Sequence, residues 1–234
     1  MKVVIVGGVA GGASTAARLR RVDENAEIIM FEKGPYVSFA NCGLPYYIGE
    51  VIKDREQLLV VTPETLKDML GVEARPNSEV LSIDRQNKTV MVKDLVSGRE
   101  YQESYDKLVL ATGAVPIVPP LPGVDLPGVF ILHNIPEMDT IESYLKEASP
   151  KRVVVVGGGF IGLEIAENLV ERGLQVSVVE MLNQVMAPVD FELAAMVHHH
   201  LAFHNIGLVL GDGLKSIEQT GIDTSMQVNL ASGK

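Results

Sequence analysis

Two stretches of the same make decide the fold: "KVVIVGGVAGGASTAARLRR", residues 2–21, and "KRVVVVGGGFIGLEIAENLVERG", residues 151–173. Each is a run of β-branched residues, then a glycine-rich turn, then a segment of helical period rich in alanine or leucine. Gly7 and Gly157 open the two turns 150 residues apart, which marks an internal duplication. Each copy runs on into a second apolar strand that ends on an acid, "EIIMFE" at Glu32 and "QVSVVE" at Glu180. The acids follow their first glycines by 25 and 23 residues, against about 20 in the dinucleotide-binding fingerprint.

The physical reason is the same for both copies. Glycines let the chain turn tightly after the strand and let a pyrophosphate approach the helix N-terminus, where unpaired N–H groups and the helix dipole stabilise negative charge. The acid then accepts hydrogen bonds from ribose hydroxyls. One such motif is a weak signal, whereas two in register are a strong one. The second copy is complete, with Gly157, Gly159 and Gly162. The first keeps Gly7, Gly11 and Gly12 but has Val9 where the middle glycine belongs.

Further along the first copy, "KTVMVKDLVSGREYQESYDKLVLATGAVP" has the pattern of a β-meander: a strand, a turn at Ser97-Gly98, a polar strand and the apolar strand "KLVLATG". The second copy ends on "SMQVNLASGK", a strand running into a turn at Ser232-Gly233 with no returning strand after it. The expectation is a truncated chain. Between the copies, residues 113–130 hold five prolines and read as an extended connector. The predicted organisation is α/β, with two Rossmann-like, three-layer ββα dinucleotide-binding domains and β-meander insertions. The first part of an FAD-type domain spans 1–115. The connector and the start of the next domain span 116–150, and an incomplete NAD(P)H domain spans 151–234.

The charge of −10 argues against a nucleic-acid or membrane-surface binder, since both want positive fields. The apolar start is too short and too broken by glycines for a transmembrane helix or signal peptide. A single cysteine excludes a disulfide framework and suits a reducing compartment, so the expected location is the cytoplasm.

That cysteine, Cys42, lies in "SFANCGLPYY", residues 38–47. A lone free cysteine is either a small packed core residue or a group kept for its reactivity. Two dinucleotide sites imply electron transfer between a flavin and a nicotinamide, and Cys42 follows Glu32 by ten residues. With Asn41 as the N-cap of a helix, the thiol feels a positive helix end that favours the thiolate.

The motifs "GGVAGGAS", "SFANCGLPYYIGE", "ESYDKLVLATGA", "GGGFIGLE" and "NQVM" together resemble the single-cysteine flavoprotein disulfide reductases, in the branch of coenzyme A disulfide reductases and NADH-dependent persulfide reductases. The resemblance covers the whole chain. Two-cysteine members carry CxxxxC, and here the fifth residue after Cys42 is Tyr47, so the resemblance implies that the partner sulfur comes from substrate. It implies an FAD enzyme that takes electrons from NADH, with NADPH possible, and reduces CoA disulfides or small-thiol persulfides. Cys42 is then catalytic, with coenzyme A as substrate or bound ligand. Members are longer, and their further C-terminal domain makes a homodimer.

The resemblance also distributes roles. Substrate contacts fall on Ser14, Arg18, Arg21, Ser38 and Asn41. FAD contacts fall on Gly7, Val9, Ala10, Gly11, Gly12, Glu32, Lys33, Val80, Ala111, Thr112 and Gly113. Nicotinamide nucleotide contacts fall on Gly157, Gly159, Phe160, Ile161, Gly162, Glu164 and Glu180. Phe160 takes the place of an aromatic gate, and the Glu180 carboxylate disfavours a 2′-phosphate and so favours NADH. The plain alternatives are a solvated basic helix face for Arg18 and Arg21, a buried aromatic for Phe160 and a surface acid for Glu164. His133 stands where relatives often carry arginine. His200 and His204 have helical ligand spacing, but no further ligand completes a set, so the expectation is a solvated face and no metal. Two rival functions remain: an NADH oxidase or peroxidase cycling through a cysteine sulfenic acid, and a non-catalytic nucleotide-binding redox module.

Overall fold

The computed structural model describes residues 1–221 and 225–233. The chain divides into two compact units, Met1–Ala40 with Glu56–Val115, and Asn41–Arg55 with Pro116–Lys234. The expected first domain, 1–115, therefore contains a segment, 41–55, that belongs with the second unit.

The first unit opens with β1 (Lys2–Val6), α1 (Ala10–Val22) and β2 (Glu27–Phe31). The next helix, α2 (Leu44–Ile48), lies in the segment that belongs to the second unit. The first unit resumes with α3 (Pro63–Leu70), β3 (Val72–Arg75), β4 (Ser78–Asp84), β5 (Thr89–Asp94), β6 (Glu100–Ser104) and β7 (Lys107–Leu110). Its main sheet is parallel in the order β3-β2-β1-β7, and β4-β5-β6 form a separate antiparallel sheet.

Alternation along β1 and β2 builds the layers, because successive side chains point to opposite faces of a sheet. Val3, Ile5, Ile28 and Met30 pack with Ala16 of α1 and Leu66 of α3. Val4, Ile29 and Phe31 pack on the other face with Val90 and Val92 of β5. This is the three-layer arrangement expected, and both sheet faces are covered. The apolar strand "KLVL" does not close the meander as the sequence implied. It pairs in parallel with β1 instead, and the third meander strand is β4, which forms a bulged ladder with β5. Val109 and Leu108 of this strand are half-buried and pack on opposite faces, one toward the α1 and α3 layer and the other toward the meander.

Arg75 at the end of β3 ties the layers together. Its guanidinium stacks over Phe31, 5.3 Å from the ring centroid, and bonds Glu73 and Glu103. Burial alone would lower its pKa, but the bonds to Tyr101, Glu103 and Glu73 outweigh this and raise it further.

The second unit continues with α4 (Ile135–Ala148), β8 (Arg152–Val156), α5 (Phe160–Glu171), β9 (Gln175–Glu180), α6 (Phe191–Phe203), β10 (Gly207–Leu210), β11 (Leu214–Gln219) and β12 (Met226–Leu230). Its parallel sheet runs β10-β9-β8, and β11 and β12 form an antiparallel pair. The connector 113–130 has turns but no helix or strand, as its prolines require. Val154 and Val156 of β8 are exposed, whereas Val4 at the matching place in β1 is fully buried against Val90 and Val92 of the meander.

Candidate active site

The two glycine turns repeat each other bond for bond. Gly7 N–H donates to the Phe31 carbonyl and Gly157 N–H to the Val179 carbonyl, both at 2.8 Å. Both glycines have positive φ, +101° and +108°, which an L side chain rarely adopts. A Cβ on Gly12 would lie 1.7 Å from the Gly7 carbonyl oxygen, and one on Gly162 would lie 2.0 Å from that of Gly157. Helix and strand meet there at backbone distance.

Val9 replaces a glycine without disturbing this geometry. Its φ of −88° and the −80° of Gly159 are open to any residue, and both carbonyls accept a 3.0 Å bond from the residue four on. The two differ in ψ, −132° at Val9 and −175° at Gly159.

The acids close the loops. Glu32 accepts from Gly8 N–H and Gly34 N–H, each at 2.7 Å. Glu180 accepts from Gly158 N–H at 2.7 Å and Leu182 N–H at 2.8 Å. Each carboxylate is thus fixed against its own glycine turn. Ser38 and Met186 follow at equivalent places, both at positive φ, donating to the Gly8 and Gly158 carbonyls.

In the first unit the end of β7 lies against the turn, since a Cβ on Gly7 would meet the Ala111 carbonyl at 2.1 Å. Thr112 and Gly113 continue from it, exposed. In the second unit, Cβ atoms built on Gly157 and Gly159 meet nothing within 4 Å. The second turn therefore offers bare backbone at a helix N-terminus, and at the first the helix N-terminus is open at exposed Ala10 and Gly11; both fit a bound dinucleotide.

The first unit also has a cavity of about 280 Å³ between α1 and α3, lined by Ser14, Ser38, Val61, Thr65, Met69 and Leu70 among others. Two residues expected to touch substrate, Ser14 and Ser38, share it. Arg18 and Arg21 follow Ser14 along α1 by one and two turns, both exposed. Their neighbour Arg20 is committed elsewhere, donating to the Leu70 and Gly71 carbonyls at the end of α3.

Cys42 lies exposed in a 3-10 turn, Asn41–Gly43, that leads into α2. The expected Asn41 cap is not there. The N-cap of α2 is Gly43, with no side-chain hydrogen bond, because the 3-10 turn occupies the residues that would have preceded a longer helix.

The segment bearing Cys42 is held within the second unit. Arg172 Nη1 donates to the Ile48 carbonyl at the end of α2, at 2.8 Å, and also to Glu142 of α4; Nη2 donates to the other Glu142 oxygen. Burial pushes the Glu142 carboxyl up, but its hydrogen bonds to Arg172 and Lys146 prevail and hold it below the ordinary range. Asn168, buried, lies so close to Gly49 that a Cβ there would sit 2.2 Å from its Oδ1. Arg55 closes the segment with a two-bond fork to Asp139, at 2.8 and 2.7 Å.

The whole chain, residues 1–234, matches the family described as pyridine nucleotide-disulphide oxidoreductase. The chain belongs to that family. It is 35% identical over 217 residues to the coenzyme A disulfide reductase of Staphylococcus haemolyticus, covering 93% of this chain and 49% of that protein. The reduced CoADR-RHD of Bacillus anthracis is 50% identical with a TM-score of 0.95, covering 100% of this chain and 41% of that one. An NAD-dependent persulfide reductase from A. fulgidus is 35% identical, with a TM-score of 0.94 and coverage of 100% and 43%. The chain spans about half the length of the curated relatives it matches.

Phe160 is 60% exposed at the mouth of its turn, with Ile161 beside it equally exposed, so the plain reading of Phe160 as a buried aromatic fails. Ala10 and Gly11 are exposed at the first turn. Lys33 is exposed and pairs with Glu79 at 2.8 Å. Val80 packs half-buried against the core beneath the meander. Glu164 is half-buried, and its carbonyl accepts from Asn168. The His200 and His204 rings lie 4.5 Å apart, tilted at 55°, and no metal-holding group of three occurs among the described residues. No helix among them is long and apolar enough to cross a membrane. Sequence reading missed Arg172, Asn168 and Glu142. The i, i+4 spacing of Glu164, Asn168 and Arg172 was visible, but their partner, a backbone carbonyl, leaves no sequence signal.

Proposed function

We propose that the protein is an FAD-dependent reductase of CoA disulfides or small-thiol persulfides, fed by NADH and working through Cys42. The observation that carries this is a solvent-exposed cysteine with no second cysteine in the chain to close a disulfide. The Cys42 thiolate attacks one sulfur of a CoA disulfide. The substrate S–S bond breaks, one CoA thiolate leaves and a Cys42–CoA mixed disulfide forms. With a persulfide substrate, the same attack on the outer sulfur transfers it to Cys42. Bound FAD, once reduced by NADH, would supply the electron pair that breaks the bond to Cys42, so that the second CoA leaves as thiolate, or the transferred sulfur as sulfide, and the Cys42 thiolate returns.

The first unit's turn, with Gly7, Val9, Ala10, Gly11, Gly12 and Glu32, would hold FAD, and Ala111, Thr112 and Gly113 would line it. The second unit's turn, with Gly157, Gly159, Gly162, Glu164 and Glu180, would hold the nicotinamide nucleotide, and exposed Phe160 would cover its site. The cavity of about 280 Å³ suits the pantetheine arm of coenzyme A rather than the whole molecule. Its apolar wall would take the arm and the Ser14 and Ser38 hydroxyls its amides, while Arg18 and Arg21 would grip phosphates outside. A homodimer is expected, as is a reducing compartment such as the cytoplasm, where the thiolate survives. Replacing Cys42 with Ser tests the reading. NADH-dependent thiol release should vanish while bound flavin is retained, and continued release would refute it.

A further inference from the structure

We infer that Arg172 and Asn168 are positioning residues for Cys42, holding the cysteine segment to the nucleotide helix α5; this rests on the function proposed above. Glu164, Asn168 and Arg172 form one stripe along α5, since residues four apart share a helix face. The stripe begins one turn from Phe160 and the glycine turn and ends at the grip on α2. One helix thus carries both the nucleotide turn and the hold on the cysteine.

The grip has two independent points. At the first, the Arg172 guanidinium is divided between the Ile48 carbonyl and the buried Glu142 carboxylate. Glu142 fixes the guanidinium, and the guanidinium fixes α2 through a main-chain atom. Gly49 is pressed against Asn168 next to it, and any side chain there would collide. Ile48 lies six positions after Cys42, and the chain from one to the other is a 3-10 turn followed directly by one short helix. At the second point Arg55 is forked to Asp139 on α4, the helix that also carries Glu142.

The experiment compares the intact flavin-loaded protein with Arg172→Met/Glu142→Leu, Arg172→Lys and Asp139→Asn. The double variant removes both buried charges together, which spares the fold the cost of one left unpaired. Its kcat for CoA disulfide reduction should fall about tenfold or more, as a roughly 1 Å misplacement of a reacting group would cause. KM for NADH and flavin content should hold within about twofold. Amide hydrogen exchange should rise over residues 41–55 and stay unchanged over β8 and β9. Arg172→Lys should recover part of kcat, and Asp139→Asn should move kcat and exchange in the same direction.

Unchanged exchange over 41–55 in a folded double variant overturns the grip. Raised exchange with unchanged kcat overturns the positioning role, and so does a loss of kcat that merely tracks flavin loss. If the double variant does not fold, Asp139→Asn decides by the same two readouts. A wild type that turns over no disulfide or persulfide refutes the proposed function, while exchange still reads the grip.

Discussion

Alanine at Gly162 and at Gly12 should disable different cofactors. The Cβ of Gly162→Ala would lie 2.0 Å from the Gly157 carbonyl oxygen, where ordinary contact is 3.4 Å or more, and the obstructing atom is backbone. Helix α5 or the turn must therefore shift by more than an ångström. Forced insertion of one methyl into a packed site costs about 1–3 kcal/mol. If that strain is relieved by opening the turn, and regained as lost binding, affinity falls roughly 5- to 150-fold. The Gly12→Ala clash, at 1.7 Å from the Gly7 oxygen, is at least as severe. The assay is paired: NADH affinity by titration of fluorescence, and flavin per chain by absorbance after gel filtration. Gly162→Ala should weaken NADH and keep FAD, while Gly12→Ala should lose FAD. Exchanged phenotypes would refute the assignment of cofactors to units. Unchanged binding in both would refute the argument that backbone approach at these turns builds the sites.

The Glu180 carboxylate, fixed by two main-chain N–H groups, should make NADH the better donor. A phosphate charge about 4 Å from it costs about 4 kcal/mol at most at an effective dielectric near 20, so kcat/KM equal or higher with NADPH would contradict this. Stability should also fall in acid. The carboxyls of Glu103 and Glu142 lie below the ordinary 4.5 in the folded protein, so their contribution is complete above that value and is lost as pH falls through their folded values. The melting temperature should hold above about pH 5 and drop below it. Glu142→Gln should be less stable at neutral pH with a shallower acid limb, and an unaltered limb would exclude Glu142 from it.

Much of the fold was legible because it is periodic. Strand, glycine turn, helix and distal acid announce themselves twice, and the structure reproduces them down to the Gly8–Glu32 and Gly158–Glu180 bonds. Val9 stands where the middle glycine belongs in the motif, and the position needs no positive φ. What the sequence could not convey depends on tertiary choice. "KLVL" suits either a meander or a parallel sheet by composition, and only its pairing with β1, a hundred residues away, selects the latter. Asn41 is a good cap residue, but a 3-10 turn takes its place. The membership of 41–55 in the second unit follows from Arg172 reaching a carbonyl 124 residues away, which no local pattern encodes.

The central claim is that the sulfur of Cys42 joins covalently to substrate. The most direct measurement is mass spectrometry of the protein with Cys42 as the free thiol, its flavin oxidised and NADH absent, quenched after one equivalent of CoA disulfide under anaerobic conditions. The Cys42 peptide should carry one CoA through a bond that dithiothreitol removes, and Cys42→Ser should carry none. An unmodified Cys42 alongside stoichiometric release of CoA thiol would contradict the account.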